Sequence, residues 1–243
     1  MEINENISEY YEELFPVTSE QKRFYEKYAS AFKMPVKYLR IGCGTGFFEH
    51  SLAKNGADVT ALETCPELLE SANRRRRTQL MAIRFFQMSS LEMSRFLGKG
   101  FYNIISILDS RIIFTHDDTL IAKLFFDCKS LLSDNGKFII GIDNFEKFGM
   151  NKIINLGVRE SVRAKLYTQI KRETQEKSVL NQNLETGNGR ILSVMSNVPV
   201  CPLTSEQIIT YAKKAGFKHF DCFSGFDFAP ATEKSDALVM VLS

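Results

Sequence analysis

Cysteine is sparse and unpaired in this chain: Cys43, Cys65, Cys128, Cys201 and Cys222 are odd in number, scattered, and never spaced C-x-x-C. That argues against a zinc site or a disulfide frame and suits reduced thiols in a cytosolic setting. Histidine is scarcer still, and neither His50 nor His219 has metal-ligand spacing, so no metal is expected. Long apolar runs are missing as well. None approaches the roughly 18 residues of a membrane-spanning helix. The opening MEINENISEY has neither a basic n-region nor an apolar core, so no leader is expected. No sign of charge dominates: a formal net charge of +2 supplies no field that would draw the chain to nucleic acid or membrane. What remains is a cytoplasmic globular chain, 44% apolar and 25% charged, long enough for one generous domain.

The rest is organised around Val36 to Glu63, VKYLRIGCGTGFFEHSLAKNGADVTALE. It reads as a short apolar strand (36–42), a turn carrying Gly42, Gly44 and Gly46, a helix near 46–55 ending at Asn55-Gly56, and a second strand (58–63) closing on a carboxylate. Alternating glycines let backbone amides approach a ligand and leave the helix N-terminus facing it. Glu63, at the tip of the second strand, is suited to accept hydrogen bonds from a ribose diol. The G-x-G-x-x-G spacing of dinucleotide sites is absent, because the third glycine comes one residue early.

Before this stretch, residues 7–33 alternate at helical spacing with a break at Pro16 and Thr18-Ser19, predicting two helices. They either pack on the sheet edge or lay Tyr10 and Tyr11 over a ligand mouth. After it, Cys65-Pro66 opens a helix that closes in Arg74-Arg75-Arg76-Arg77, and cations at a helix C-terminus predict a solvated end. A third strand covers Ala82–Gln87 and a fourth Asn103–Leu108. A helix covers roughly 118–132, started by Thr115 or Asp117, and after a turn at Ser133–Gly136 a fifth strand covers Lys137–Ile142. Strand–helix alternation predicts an α/β, doubly wound, Rossmann-like sheet of seven strands, mostly parallel with an antiparallel last strand.

Between Asp143 and Val200 the rhythm changes to a short helix over Asn151–Val158 and three β-like runs near 163–172, 176–184 and 190–198. Glu185-Thr186-Gly187-Asn188-Gly189 joins the last two as a hairpin. An antiparallel sheet inserted there sits near the carboxyl ends of the parallel strands, where open α/β sheets bind ligands. It is a candidate lid, while its polar residues (Gln169, Lys171, Arg172, Gln175) equally suit a solvent-facing or dimer surface. Thr204 and Gln207 form a capping box before a helix that stops at Gly216, and strands follow over Phe217–Phe223 and Ala237–Leu242.

In that order the motifs resemble those of class I S-adenosylmethionine (SAM)-dependent methyltransferases. IGCGTG is similar to the family's first motif and VTALETCPELLESA to its second. SDNGKFIIGIDN resembles the turn and fifth strand, and LTSEQIITYAKKAGF the late helix. ILDSRIIFTHDD and IDNFEKF look more narrowly like the glycine/sarcosine N-methyltransferase group. The resemblance spans nearly the whole chain. It implies a single domain with N-terminal helices (1–34), a SAM-binding core (35–142), an inserted lid (143–200) and a closing helix and strands (201–243).

The resemblance implies that Gly42, Cys43, Gly44 and Gly46 line the methionine and ribose of SAM. By the same comparison Glu63 holds the ribose hydroxyls, Thr64 flanks the adenine, and Ser89, Ser90 and Leu91 stand where an acid and its neighbour bind adenine. Leu108 and Asp109 fall beside the transferring methyl. Tyr10, Tyr11, Asp109, His116 and Tyr167 are candidate contacts to a small-molecule acceptor. Each has a structural alternative: Asp109 as a turn residue, His116 as a partly buried helix start, Tyr167 as sheet packing. Two positions depart from the family. Ser89 replaces an acid and loses its charge assistance. Arg40 replaces the acid two residues before Gly42. A guanidinium within about 4 Å of the methionine ammonium would cost up to about 4 kcal/mol at an effective dielectric near 20. Arg40 therefore turns to the carboxylate, points away, or marks a fold that no longer uses SAM. An RNA methyltransferase is a further alternative. Against it, the fourth strand ends in Leu-Asp-Ser-Arg without the Asn/Asp-Pro-Pro-aromatic tetrapeptide. A possible homodimer is left open by the polar lid.

Overall fold

The computed structural model describes residues 7–76, 81–174 and 177–243. Arg77 of the arginine run and Gln175 of the inserted sheet lie outside them. Two N-terminal helices, α1 (Tyr11–Leu14) and α2 (Ser19–Ala29), flank Pro16, and the Thr18 side chain caps the second by accepting from the Gln21 N–H. The glycine turn separates β1 (Lys37–Ile41) from α3 (Phe47–Lys54), and β2 (Asp58–Glu63), α4 (Pro66–Arg76) and β3 (Ile83–Gln87) continue the alternation. A short α5 (Met93–Phe96) precedes β4 (Tyr102–Ile107), and α6 (Asp118–Leu131) precedes β5 (Leu132–Asp143). Asp117, and not Thr115, caps α6, taking the Thr119 and Leu120 N–H groups on its carboxylate.

β1 to β5 run parallel, because each crossover carries a helix or helical turns that must cover a sheet face. After α7 (Ser205–Lys214), with its Thr204–Gln207 capping box, β11 (Phe220–Phe223) and β12 (Ala237–Leu242) complete the sheet. The strand order is β11-β12-β5-β4-β1-β2-β3, and β12 is antiparallel to both neighbours. One face is covered by Leu124, Phe125 and Cys128 of α6 with Ile208 and Ala212 of α7. The other is covered by Phe24 and Tyr25 of α2, Phe48 of α3 and Ala72 of α4. Burial on both faces suits the largely apolar β4, whose Ile104, Ile105 and Ile107 are buried, as is Ser106 between them. Among the described residues no helix is long and apolar enough to cross a membrane.

The insertion is a second sheet of five strands. Its main path is β10 (Ile191–Val200), β9 (Ser178–Thr186), β8 (Ala164–Arg172) and β6 (Ile153–Asn155), with β7 (Arg159–Glu160) also pairing β8. Leu166, Ile170, Leu180 and Leu184 turn inward and join the core cluster around α6. The outward face carries mainly polar residues, with Ile153 and Ile191 also exposed.

Three local expectations fail. The helix over Asn151–Val158 does not form. A 3-10 turn at Phe145–Phe148, started by Asn144, stands before it, and the segment then becomes β6 and β7. The free edge of β8 supplies hydrogen bonds that so short a helix could not match, and the alternation that buries Ile154 between exposed Ile153 and Asn155 has period two. The turn at Ser133–Gly136 is absorbed into a longer β5, with Asn135 left-handed and the ladder to β4 shifting register after Tyr102. The arginine run is not uniformly solvated: Arg74 pairs with Glu70 in water, whereas Arg75 is half-buried and reaches Glu12 of α1.

Candidate functional site

All three glycines of the turn have positive φ, at 71°, 60° and 67°, a region L side chains avoid. The N–H groups of Gly42 and Cys43 both donate to the Leu62 carbonyl, fastening the turn to β2. Glu63 is buried at the tip of that strand and its carboxylate takes three backbone donors. Gly44 N–H reaches Oε2 at 2.9 Å, and Thr64 and Cys65 N–H reach Oε1 at 2.8 and 3.0 Å. The expected ribose acid is thus held by the turn itself, and Thr64 beside it is exposed.

The turn is covered. The Tyr11 ring lies against Gly44, and the aliphatic part of Arg111 lies against Gly42. Arg111 Nη2 donates to the Tyr11 hydroxyl at 3.2 Å. Burial pushes the Tyr11 phenol up to about 12, against the lowering pull of Arg111. Glu12 pins α1 in place by accepting from Thr45 Oγ1 at 3.0 Å and pairing with Arg75. Of the two tyrosines expected at the mouth, Tyr11 is there. Tyr10 sits to one side under the Arg163 guanidinium of the inserted segment, 4.8 Å from its ring centroid.

Beside the covered turn lies a cavity of about 300 Å³, walled by α1, α2, the start of α3 and the ends of β4 and β5. Cys43 lines it, its thiol pushed well up by burial. So does Arg40, whose side chain is only 9% exposed. Its guanidinium stands 3.6 Å from Glu49 and 3.5 Å from Asp109. Burial lowers the Arg40 pKa, but Glu49 and further anionic partners outweigh it and the net shift is upward. Burial pushes Glu49 up, opposed by Arg40. Arg40, Glu49 and Asp109 thus bring charges of both signs together at the cavity wall, and Arg159 adds a second cation against Asp109. Arg40 Nε and Nη1 are buried without a hydrogen-bond partner, a state that costs about 1–3 kcal/mol for a buried donor.

Asp109 and Ser110 follow β4 with φ of 54° and 55°, two consecutive left-handed residues that each cost on the order of 1 kcal/mol. The turn is over-determined by its hydrogen bonds. Ser110 N–H donates to the Gly141 carbonyl, its hydroxyl donates to Asp143 Oδ2 at 2.6 Å, and Asp143 N–H donates back to Ser110 Oγ. Asp109 also faces Arg159 at 3.5 Å, and Arg159 stacks over Phe15. A smaller cavity of about 60 Å³ opens beneath the inserted sheet, with Gln182 donating to Thr168 on its roof. The two cavities share Tyr11, Phe15, Asp109, Ser110, Asp143 and Arg159. Leu108, just before this junction, is buried against Gly141.

Other expected residues stand apart. Ser89 Oγ accepts from the Leu91 N–H, so Ser89, Ser90 and Leu91 form a half-buried turn beyond β3 that lines neither cavity. His116 is exposed, not partly buried, and its Nδ1 lies 3.3 Å from the Phe114 carbonyl. Tyr167 points outward, because strand alternation sends Leu166 and Thr168 to the inner face, and its hydroxyl donates to Glu185. Neither His116 nor Tyr167 meets the cavities. Residues that do, Glu12, Glu49, Ser110, Arg111 and Asp143, were not singled out, although Ser110 and Arg111 lie within ILDSRIIFTHDD and Asp143 within SDNGKFIIGIDN. For Glu49 position was the available signal, since it lies in the first turn after the glycines.

Residues 39–136 match the family model of a methyltransferase domain. A protein of Geobacillus sp. (strain WCH70), itself only provisionally named a methyltransferase, is 24% identical over 111 residues, 46% of this chain. The match spans 44% of that relative, less than half its length. Among solved structures, the CcbJ methyltransferase from Streptomyces caelestis superposes with a TM-score of 0.78 at 15% identity, over 97% of this chain and 95% of that one. A SAM-dependent methyltransferase from Clostridium acetobutylicum ATCC 824 gives 0.77 at 16% identity, over 98% and 97%. SAM-bound CalS10, an amino pentose methyltransferase from Micromonospora echinaspora, gives 0.66 at 15% identity, over 97% and 96%. At such identities the likeness is one of fold.

Proposed function

We propose that this chain, a class I SAM-dependent methyltransferase by family model and fold, moves a methyl group from SAM to a small polar acceptor held under the inserted sheet. The observation that carries this reading is the junction of the two cavities at Asp109, Ser110 and Asp143. A ligand in the larger cavity and one beneath the lid would meet there.

The residues suit SAM in two different ways. The amino-acid end fits the cavity as it stands, since Arg40, Glu49 and Asp109 offer charges of both signs. The nucleoside end fits the glycine turn and Glu63 once Tyr11 leaves the space above Gly44. About 300 Å³ is at the small end of ligand pockets, which run roughly 300–1,000 Å³, and α1 must move to admit the whole cofactor. When bound, SAM supplies an electrophilic methyl carbon on a sulfonium. The chain's part is alignment and, where the acceptor must lose a proton, a base.

Residues 35–142 would hold the cofactor and 143–200 the acceptor. Gly42, Cys43, Gly44, Gly46 and Leu108 would line the methionine and ribose. Glu63 would receive the ribose hydroxyls, and Ser89 with Leu91 would border the adenine. Asp143 is the candidate acceptor group: its carboxylate is hydrogen-bonded by Ser110 and has no cationic partner among the described residues. A carboxylate so placed favours an amine-bearing acceptor, whose proton it could take, and Gln182 and Thr168 above it suit hydroxyl groups. The fold neighbour CalS10, which acts on an amino pentose, agrees with such chemistry.

Titration calorimetry with SAM and with its demethylated product, S-adenosylhomocysteine, tests the reading. Saturable binding of both is expected, and no heat from either on folded protein would sink it. Transfer of labelled methyl from SAM to a panel of amino sugars, against the matched sugars without the amine, then tests the acceptor class.

A further inference from the structure

Gln21, in the first turn of α2, lines the larger cavity and is only 8% exposed. Thr18 takes its backbone N–H at 3.1 Å, but among the described residues its side-chain amide has no hydrogen-bond partner. That amide is not among the unpartnered polar atoms sealed inside the protein, so it keeps accessible surface, and the cavity is the space it borders. The surroundings are apolar. Val17 lies one turn before it, and Phe24, three residues on and so on the same side of α2, holds Phe226 edge-on with ring centroids 5.4 Å apart. Val17, Phe226 and the buried Val239 of β12 all line the cavity with Gln21. A buried amide in such a setting is unfavourable until something pairs with it.

This end of the cavity stands apart from the glycine turn. In the order β12-β5-β4-β1, β12 is three strands from β1, on the order of 14 Å at about 4.8 Å per strand. It adjoins Asp143 instead, which pairs with Ala237 across the β5–β12 ladder. We infer that the space between Gln21, Phe226 and Val239 is a second acceptor subsite, taking an apolar substituent that bears one hydroxyl, with Gln21 as the partner of that hydroxyl. An amide offers both a donor and an acceptor, and a hydroxyl answers both. The inference rests on the acceptor reading above, which sets the amine at Asp143, and deepens it by naming what the amine carries. The acceptor then reaches from beneath the inserted sheet, past Asp143, to β12.

The probes are tyramine, an amine with an aromatic ring and one hydroxyl, and 2-phenylethylamine, which lacks only the hydroxyl. Each is titrated into ligand-free protein and into protein saturated with S-adenosylhomocysteine, with the methyl resonances of Val17 and Val239 as reporters. Tyramine should shift both resonances and bind about three- to tenfold more tightly than 2-phenylethylamine, as one neutral hydrogen bond predicts. In Gln21→Met, and in Gln21→Leu measured alongside, the two probes should bind alike. Melting temperatures of both variants should hold or rise, because an unpaired buried amide is removed. Tyramine that leaves the two resonances unmoved overturns the inference, as does a preference that survives in either variant. A clear fall in melting temperature in both would show an amide already satisfied within the fold and overturns it too. Tyramine shifts in protein that does not bind S-adenosylhomocysteine support the subsite and sink the cofactor reading instead.

Discussion

The Tyr11 ring occupies the space a β-carbon on Gly44 would need: ring atoms lie 2.3 Å from that position. A nucleoside approaching the same backbone must displace the ring. Removing it by Tyr11→Ala should therefore speed the association of S-adenosylhomocysteine on the order of tenfold, since less of the population is held closed. The variant should also lose about 3 kcal/mol of stability, because Tyr11 is a buried core aromatic. Stopped-flow binding reads the first effect and urea denaturation the second. An unchanged or slower association in a folded variant would show that α1 is not the barrier.

Gly46 and Gly44 should respond differently to alanine. Both have positive φ, which costs a non-glycine residue about 1–2 kcal/mol. At Gly46 the added carbon would also stand 2.7 Å from the Phe85 ring and 3.1 Å from Ala72, wedged between a strand and a helix. Overpacking adds about 1–3 kcal/mol there. Gly46→Ala should thus lose about 2–5 kcal/mol in denaturant, and Gly44→Ala less, because Tyr11 belongs to a four-residue helix that can shift. Equal losses would contradict this ordering.

His50 gives stability a pH dependence. Burial lowers its pKa below the ordinary value, opposed by the 3.0 Å contact of Nε2 with the Ala72 carbonyl. The folded protein therefore favours the neutral ring. This contribution is fully present above the unfolded value of about 6.5 and is lost as pH falls through the lower folded value. The melting temperature of the wild type should fall between pH 7.5 and 5.5, and that of His50→Gln should fall by less over the same range. Parallel profiles would remove His50 as the cause.

Arg163 ties the inserted segment to the first helix and the residues before it through Glu13 and Glu9. All three are substantially exposed, so the strap is expected to matter for motion more than for global stability. Arg163→Ala should raise amide exchange across 10–15 with little change in melting temperature, and 1 M salt should raise wild-type exchange in the same way. Unaltered exchange in both would mean that apolar packing alone holds α1 down.

How much could be read beforehand differs by element for a physical reason. β1, β2, α3 and α4 were legible because their signals are local: apolar runs, Gly at the turn, Asn55-Gly56 at a helix end, Pro66 at a helix start. Asn151–Val158 misled because so short a stretch of mixed polarity has no strong preference, and the edge of β8 decided for it. Tyr167 was placed on the right strand, but which face it took depended on register. His116 followed a correct strand and still fell outside the site, since its position depended on where the chain turned after Asp109.

Order and spacing along the chain determined the doubly wound sheet, the glycine turn and the acid at the tip of β2. These features depend on neighbours within a few residues. Contacts between distant segments decided the rest: Tyr11 brought onto Gly44, Arg163 onto Glu9, and Glu49 and Asp109 onto Arg40. That last convergence sets a residue of the wrong sign, read alone, between two carboxylates, because buried electrostatics depends on distance in space and not on separation in sequence.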